Sequence, residues 1–330
     1  MNNTGILDKK TIDRIDKLKA QIDQSKLEIF VESIFTKISE QVIANAPIQD
    51  IDNRERGAEV IKNFRAAWNY ARSNTPPAFS QAHLEEVAGR VEPALRVPNQ
   101  SYAAIRDSSA NTGYTCMPPT DRNRVISHLN KVSKSLETGL HPVEEALFLY
   151  FHLIRIQPFS NANKRTANII MNTGLLRDGF APISIPLHEE ELFKQYFEGA
   201  LLGFEDDSAN HAPGSSVPYL NPRITQRQFY DYLSDKEENN LRRVTDRLKG
   251  VNQYRITIET KNPGVIYSLK KQISGWFHRD KKNRPFKQSL SKKREIELIG
   301  EIPYFTLDTI LHSNKNKGIN SYKIIVDGKR

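Results

Sequence analysis

Apolar residues recur at intervals of three and four along most of the first 250 residues. Between Ile6 and about Arg72 this spacing, seen in Leu27, Val31 and Ile34, predicts two or three amphipathic helices. The same pattern predicts further helices over 78–96, 121–135, 189–202 and 226–248. A stretch from Tyr102 to Pro119 breaks the pattern and is expected to be extended and turn-rich. The fold class is therefore expected to be mainly α.

Two consecutive helices are expected at the centre of the chain. The first starts at His141-Pro142, because proline is favoured in a first helical turn, and stops at Gln157, because the residue before Pro158 avoids helical geometry. Its residues are apolar nearly all round, which is typical of a buried helix. The second helix carries apolar residues from Ala167 to Leu175 and is expected to end near 177–179.

The last part of the chain has a different pattern and charge. Short alternations or β-branched runs over 254–260, 295–302 and 321–326 predict strands, and hence a small α+β unit. Residues 241–330 hold 21 basic and 8 acidic residues, a net charge of +13 (21 − 8), whereas the whole chain has +9. This block suits a polyanion such as nucleic acid, although a solvated basic surface is the commoner cause.

These patterns divide the chain into four parts: an N-terminal helical region over 1–95, a core over 96–205, a linker and helix over 206–250, and a basic α+β module over 251–330. The composition, 38% hydrophobic and 26% charged, is that of a globular protein. The longest apolar run, 146–154, is too short to cross a membrane. With one cysteine, Cys116, and no secretory start, the chain is expected to be cytoplasmic.

The segment from Gln157 to Asn168 reads Gln-Pro-Phe-Ser-Asn-Ala-Asn-Lys-Arg-Thr-Ala-Asn and carries the candidate chemistry. A polar loop here enters a helix whose first turn holds Asn163, Lys164 and Arg165. Free N–H groups and a partial positive charge at a helix N-terminus favour anions, so a phosphate site is one reading. A charged first turn facing solvent is the other.

At these residues the chain resembles the Fic/Doc family, whose signature runs His, any, Phe, any, Asp or Glu, Gly or Ala, Asn, Gly or Lys, Arg. The run Ala162-Asn163-Lys164-Arg165 is similar to the Doc side of the family, and Phe159 matches its aromatic position. The resemblance implies a helical core with a short β flap before the signature. It also implies binding of a nucleotide, ATP above all, with Mg²⁺, and transfer of AMP or phosphate to a protein hydroxyl.

This sequence departs from the signature at two positions. Gln157 stands where the family has its histidine base, and an amide does not accept a proton near neutral pH. Asn161 stands where the family has the acid that holds the metal, and there it could coordinate only through its carbonyl. Phe159, Ala162, Asn163, Lys164 and Arg165 remain as an anchor and a phosphate cradle without its base. The sequence thus predicts a pseudoenzyme or a strongly weakened transferase.

Two further segments match features of the family. The stretch 106–119, hereafter the flap, corresponds to the segment that docks the target protein, with Arg106, Tyr114 and Pro118 as candidate contacts. The run from Ser234 to Glu238 and Asn239 fits the pattern of an inhibitory helix, although an ordinary acidic helical face explains it as well.

Three functions stay open at this point. The first is a nucleotide-binding relative of adenylyltransferases, including toxin–antitoxin members, that transfers poorly and docks a target protein at the flap. The second is an active adenylyltransferase or phosphotransferase with a surrogate base. The third is a regulator that binds nucleic acid through its basic C-terminal part. The sequence does not fix the oligomeric state.

Overall fold

A computed structural model of the chain describes residues 5–22, 27, 31, 35, 53–110, 118–185, 189–204, 217–248, 252–260, 269, 287–292, 295–300, 311 and 319–327. Two compact units make up the chain, Met1–Leu241 and Arg242–Arg330. The division falls inside the last helix, and each unit is described by itself.

The first unit is helical, which confirms the mainly α prediction. Within the described ranges its helices are α1 (Lys9–Lys19), α2 (Asn53–Asn74), α3 (Gln81–Val91), α4 (Arg122–Leu136), α5 (Pro142–Ile156), α6 (Asn163–Arg177), α7 (Glu190–Leu202) and α8 (Ile224–Leu248), with a short 3₁₀ turn at Pro93–Leu95. Leu27, Val31 and Phe35 are also helical and buried. The expected helix over 78–96 is therefore shorter than predicted, since α3 ends before Pro93.

Helices α5 and α6 form the hairpin that carries the signature. His141 caps α5 through a reciprocal capping box with Glu144, and Pro142 occupies its first turn. The helix ends at Gln157, directly before Pro158, where the sequence predicted its end. Buried residues cover nearly the whole of α5, so it forms the centre of the first unit.

An aromatic cluster packs α5 against α7 and α8. The ring of Phe151 lies 5.9 Å from Phe197, 5.8 Å from Phe229 and 5.9 Å from Tyr230. His152 is fully buried beside this cluster and stacks on Tyr219 at 4.8 Å. Burial, followed by the nearby Arg155 and His128, holds the pKa of His152 well below its ordinary value, so the imidazole is neutral. It is a core residue, as its position on an apolar helix indicates.

The N-terminal segment is fastened to this core by hydrogen bonds and an ion pair. Buried Glu144 accepts from the backbone N–H of Leu7 at 2.8 Å and from that of His141 at 3.1 Å. Farther along, Arg14 of α1 pairs with Glu238 of α8 at 3.1 Å. One carboxylate therefore caps α5 and also anchors the chain entering α1.

The second unit contains a four-stranded antiparallel sheet in the order β2-β3-β1-β4. Its strands are β1 (Asn252–Thr260), β2 (Lys287–Lys292), β3 (Glu295–Gly300) and β4 (Ile319–Asp327). Leu269 and Leu311, which lie in the two longer connections, are helical and buried. The pattern predicted three of these strands but missed β2, whose KQSLSK sequence is polar.

The structure shows no helix, in the ranges it describes, with the length and apolar character needed to cross a bilayer.

Glu237 of α8 is fully buried, and no cation among the described residues forms an ion pair with it. One carboxylate oxygen accepts from the backbone N–H of Ala181 at 2.9 Å, and the other has no hydrogen-bond partner among the described residues. Burial raises the pKa of Glu237 well above its ordinary value. An acid with a raised folded-state pKa favours folding below its unfolded pKa, and that contribution is lost as the pH rises through the folded pKa.

Glu237→Gln keeps an acceptor for Ala181 and removes the titration. We expect the free energy of unfolding of the variant, measured in urea, to increase relative to that of wild type as the pH rises from about 5 to about 8. Glu238→Gln is the control, because Glu238 pairs with the half-exposed Arg14, and it should cost less than about 1 kcal/mol with no such gain. Parallel curves for wild type and Glu237→Gln would contradict the prediction.

Candidate functional site

The loop between α5 and α6, residues 157–163, is the candidate site and is called the signature loop below. It is bracketed by two residues in the left-handed region, Gln157 (φ 51°) and Ala162 (φ 65°). Neither is glycine, and this conformation strains residues that have a Cβ. Such strain is held in place only when the surroundings fix the backbone, and it is concentrated at functional sites.

The side chain of Gln157 is buried and hydrogen-bonded at both ends. Its amide nitrogen donates to the carbonyl of Ile154 at 2.7 Å, and its amide oxygen accepts from Asn163 at 2.9 Å. The position that holds the base in the family is therefore occupied by an amide that joins the end of α5 to the start of α6. It offers no group able to take a proton at neutral pH.

Asn163, the first residue of α6, holds the loop from inside. Its amide oxygen accepts from the backbone N–H of Phe159 at 2.9 Å, and its amide nitrogen donates to the Phe159 carbonyl at 2.7 Å as well as to Gln157. Because the nitrogen has two hydrogens and two acceptors, this side chain has no donor left for a ligand. Phe159 itself is fully buried and anchors the loop in the core.

Asn161 is exposed, and its amide oxygen accepts from the backbone N–H of Ala162 at 2.7 Å. A hard cation such as Mg²⁺ prefers carboxylate oxygens, and the described residues contain no group of three or more histidine, cysteine, aspartate or glutamate side chains suited to a metal. Asn161 therefore brings an amide, and no carboxylate, to the position that the resemblance assigns to the metal ligand.

The N-terminus of α6 does fit an anion. Ala162 precedes the helix and makes no side-chain cap, so no side chain of the capping residue covers the first-turn N–H groups. These groups and the helix dipole favour negative charge at this end. The backbone of the loop thus presents what the sequence predicted for phosphate, although the Asn163 side chain does not take part.

The two cations of the first turn face different neighbours. Arg165 donates through Nη2 to Glu92 at 3.1 Å, while its buried Nη1 has no partner among the described residues. The Lys164 side chain keeps contact with solvent, but desolvation lowers its pKa, with smaller effects from Lys194 and Glu190 of α7. Arg165 is thus held beside the end of α3 by Glu92, and it combines a charge with a buried donor that has no partner among the described residues. The joint cradle of Lys164 and Arg165 stays a prediction.

The flap is described at both ends, 106–110 and 118–119, while Tyr114 lies outside the described residues. Arg106 is only 4% exposed, and Pro118 is buried. The expectation that these two side chains contact a target protein therefore needs correction, since neither side chain is presented at the surface. Arg106 instead donates to backbone carbonyls on both sides of the flap and in the signature loop.

The segment expected to resemble an inhibitory helix lies within α8. Ser234 donates to the carbonyl of Asp231, and Glu238 pairs with Arg14. Arg165 pairs with Glu92, and Asn168 accepts from Asn172 at 3.0 Å. Glu238 is thus engaged with α1 rather than with the signature, and Asn239 is exposed, which favours the reading of an ordinary helical face.

Sequence reasoning missed Glu92 and the structural role of Arg106. Glu92 ends α3, 73 residues before Arg165, and no local pattern connects the two. For Arg106 a faint signal existed, since an arginine beside two apolar positions, Ala103 and Ile105, is well placed for burial.

Comparison with known proteins agrees with this geometry. The profile of the Fic/DOC family matches residues 79–175, which include the flap, α5, the signature loop and most of α6. Among curated proteins, the protein adenylyltransferase Fic of Nematostella vectensis is 32% identical over 120 residues, which cover 35% of this chain and 25% of that protein. The protein of the same name in Drosophila grimshawi is 38% identical over 69 residues, 21% of this chain and 14% of that protein.

Two solved structures share the fold. A Fic domain containing signaling protein from Bacteroides thetaiotaomicron has a TM-score of 0.53 at 13% identity and covers 72% of this chain and 95% of that one. Residues 134–508 of Fic-1 from Caenorhabditis elegans give 0.52 at 18% identity, covering 73% and 71%. Residues 79–175 therefore match the Fic/DOC family, and part of the chain is similar in sequence to proteins named protein adenylyltransferases. The chain spans about a quarter or less of the length of the curated relatives named above.

Proposed function

We propose that this protein binds a nucleoside polyphosphate, ATP, at the N-terminus of α6, and that its ability to transfer AMP or phosphate to a protein hydroxyl is impaired. The observation that carries the proposal is the state of Gln157. Its amide is bound at both ends within the signature loop, so the loop keeps its architecture while the position of the base holds a group that does not accept a proton.

Binding of phosphate at this site is supported by the backbone N–H groups of α6 and by the charge of Arg165. The first turn of α6 has N–H groups without intrahelical acceptors, and Arg165 keeps a buried Nη1 without a partner among the described residues. Guanidinium donors form strong charge-assisted hydrogen bonds with phosphate oxygens. The chain is similar over part of its length to proteins named protein adenylyltransferases, which supports ATP as the nucleotide.

The impairment is supported by three side chains that the chemistry would need. Gln157 provides no general base, Asn161 provides no carboxylate for Mg²⁺, and the Asn163 amide is consumed inside the loop. General acid–base catalysis contributes about 10²- to 10⁴-fold to rate, so its loss leaves binding with little turnover. We expect Mg²⁺ to enter bound to the nucleotide, because Asn161 gives the signature loop no carboxylate.

A target protein remains the proposed partner, and the flap the proposed docking segment. Burial of Arg106 and Pro118 leaves this contact to other residues of the flap, among them exposed Asp107 and Ser108. Tyr114 stays a predicted contact.

Nucleotide binding is tested by calorimetric titration with ATP, with and without Mg²⁺. We expect binding by wild type and about 10- to 100-fold weaker binding by Arg165→Ala, since a hydrogen bond to a charged group contributes about 1.5 to 3 kcal/mol. Arg177→Ala is the matched control, because Arg177 lies in the last turn of the same helix and pairs with Asp178 and Glu145. It should bind ATP like wild type.

Absence of ATP binding by folded wild-type protein would overturn the proposal. Equal weakening in the Arg165 and Arg177 variants would show that the N-terminus of α6 is not the site. Thermal unfolding of each variant separates a lost contact from a lost fold.

Impairment is tested by restoring the two missing groups in Gln157→His, Asn161→Asp. Histidine is among the residues that tolerate the left-handed region, so the change at 157 is compatible with its backbone. With ATP labelled at the α- or γ-phosphate, we expect label transfer to protein to rise about 10²-fold or more. The position of the label distinguishes AMP transfer from phosphate transfer.

Asn161→Asp alone serves as the control, since it adds a metal ligand without a base. If wild type already labels protein as strongly as the double variant, the chain is an active transferase with a surrogate base, and the impairment is wrong.

A second candidate function, nucleic-acid binding by the basic C-terminal part, is favoured by where its charge lies. The strands hold four basic residues, Arg255, Lys287, Lys292 and Lys323, and four acidic ones, Glu259, Glu295, Glu297 and Asp327. Arg255 pairs in register with Glu297. The whole excess of +13 therefore belongs to sequence outside the four described strands, and the connection 261–286 alone contains seven basic residues and one acidic residue.

This function predicts salt-dependent binding of single-stranded DNA or RNA by the full chain, measured by fluorescence anisotropy. Replacing Lys281, Lys282 and Arg284 by Gln should reduce the salt slope, since each phosphate contact contributes about 0.7 to 0.9 to it. Arg255→Gln is the control, because it removes one positive charge at a strand position that lies opposite Glu297 in register, and it should leave the slope unchanged. Binding that is insensitive to salt, or an equal effect of the control, would count against nucleic acid.

A further inference from the structure

Arg106 is a buried arginine at the start of the flap, and it sits at the junction of three chain segments. Its residue is 4% exposed, and its backbone N–H donates to the carbonyl of Pro158 at 3.0 Å. The side chain donates only to backbone carbonyls. Its acceptors are the carbonyls of Ser108, Pro119, Ile156 and Gln157.

These acceptors lie on both sides of the flap and at the end of α5. Ser108 and Pro119 are at opposite ends of the flap, and one guanidinium group binds both of their carbonyls. Ile156 is the last residue of α5, and Gln157 opens the signature loop. A planar group with five N–H donors can serve all four acceptors, whereas the ammonium of lysine is a compact point charge with three donors.

The charge of Arg106 is compensated by the helix it caps. The last carbonyls of α5 have no intrahelical donor and carry a partial negative charge, and the guanidinium binds two carbonyls at this end, at 156 and 157. Desolvation lowers the pKa of Arg106 somewhat, and Asp121 opposes this effect, but arginine stays protonated in proteins. Removing the side chain would take this donor away from the buried carbonyls of Ile156 and Gln157 and from the part-buried carbonyls of Ser108 and Pro119.

We propose that Arg106 is a positioning residue that holds the two ends of the flap and the signature loop together as one structural unit. The flap, where a target protein would dock, then shares its support with the loop where phosphate would bind. A change at either place is transmitted through one side chain. This coupling rests on the proposed function, whereas the clamp itself rests only on the hydrogen bonds of Arg106.

Hydrogen exchange tests the clamp directly. In Arg106→Lys we expect backbone amides at both flap ends, 107–110 and 120–121, and in the loop, 159–163, to exchange at least about 10-fold faster than in wild type. Arg155→Lys is the matched control: Arg155 is a buried arginine of α5, 6% exposed, whose Nε donates to His152 of the same helix. It should leave these three groups of amides unchanged relative to the rest of the chain.

Faster exchange at only one of the three places, or uniformly over the whole chain, would overturn the clamp. If Arg106→Lys does not fold, native-state exchange of wild type in increasing urea decides instead. If the flap ends and the signature loop form one unit, they should open with the same free energy and the same urea dependence. Separate openings would overturn the clamp.

Adding ATP tests the coupling. Wild type should gain protection at the loop and at the flap ends, whereas Arg106→Lys should gain it at the loop alone. Gains at both places in the variant would overturn the coupling. If wild type gains no protection with ATP anywhere, the proposed function fails, while exchange without ATP still decides the clamp.

Discussion

The arrangement on which the site depends is the hydrogen bonding of Asn163 across the signature loop. Its amide binds both backbone groups of Phe159 and the side chain of Gln157, all of them buried. Without it the Phe159 N–H would be buried without an acceptor, at a cost of about 1 to 3 kcal/mol. Satisfied polar networks of this kind fix one backbone conformation, and here they hold two non-glycine residues in the left-handed region.

This network explains how the loop can keep its architecture with glutamine at position 157. Gln157 needs to donate toward the end of α5 and accept from Asn163, and an amide does both. Catalysis needs a different property at the same position, a lone pair basic enough to take a proton. Glutamine therefore makes the hydrogen bonds that hold the loop but does not accept a proton. Selection for stability alone would tolerate it at this position.

Prediction from sequence succeeded where the cause is local. Pro142 and Pro158 mark the limits of α5 because proline acts on its immediate neighbours, and the spacing in α6 follows from one apolar face. It failed where the partner is distant. Glu92 and Arg165 meet only through the packing of α3 against α6, and the four carbonyls around Arg106 are backbone groups without a sequence signal. Strand β2 was missed because its pairing with β3, rather than its polar residues, makes it a strand.

The ion pair of Arg165 with Glu92 is compatible with a bound anion. By ordering the guanidinium, the pair also prepares Arg165 to bind one. A guanidinium offers five N–H donors on different edges, and Glu92 is bound by Nη2 alone. The pair fixes the long side chain and so removes part of the rotamer entropy that a ligand would otherwise have to pay. The buried Nη1 then remains without a protein acceptor among the described residues, which is costly unless something else meets it. A phosphate oxygen beside the first turn of α6 would relieve that cost, and binding it requires no general base at position 157.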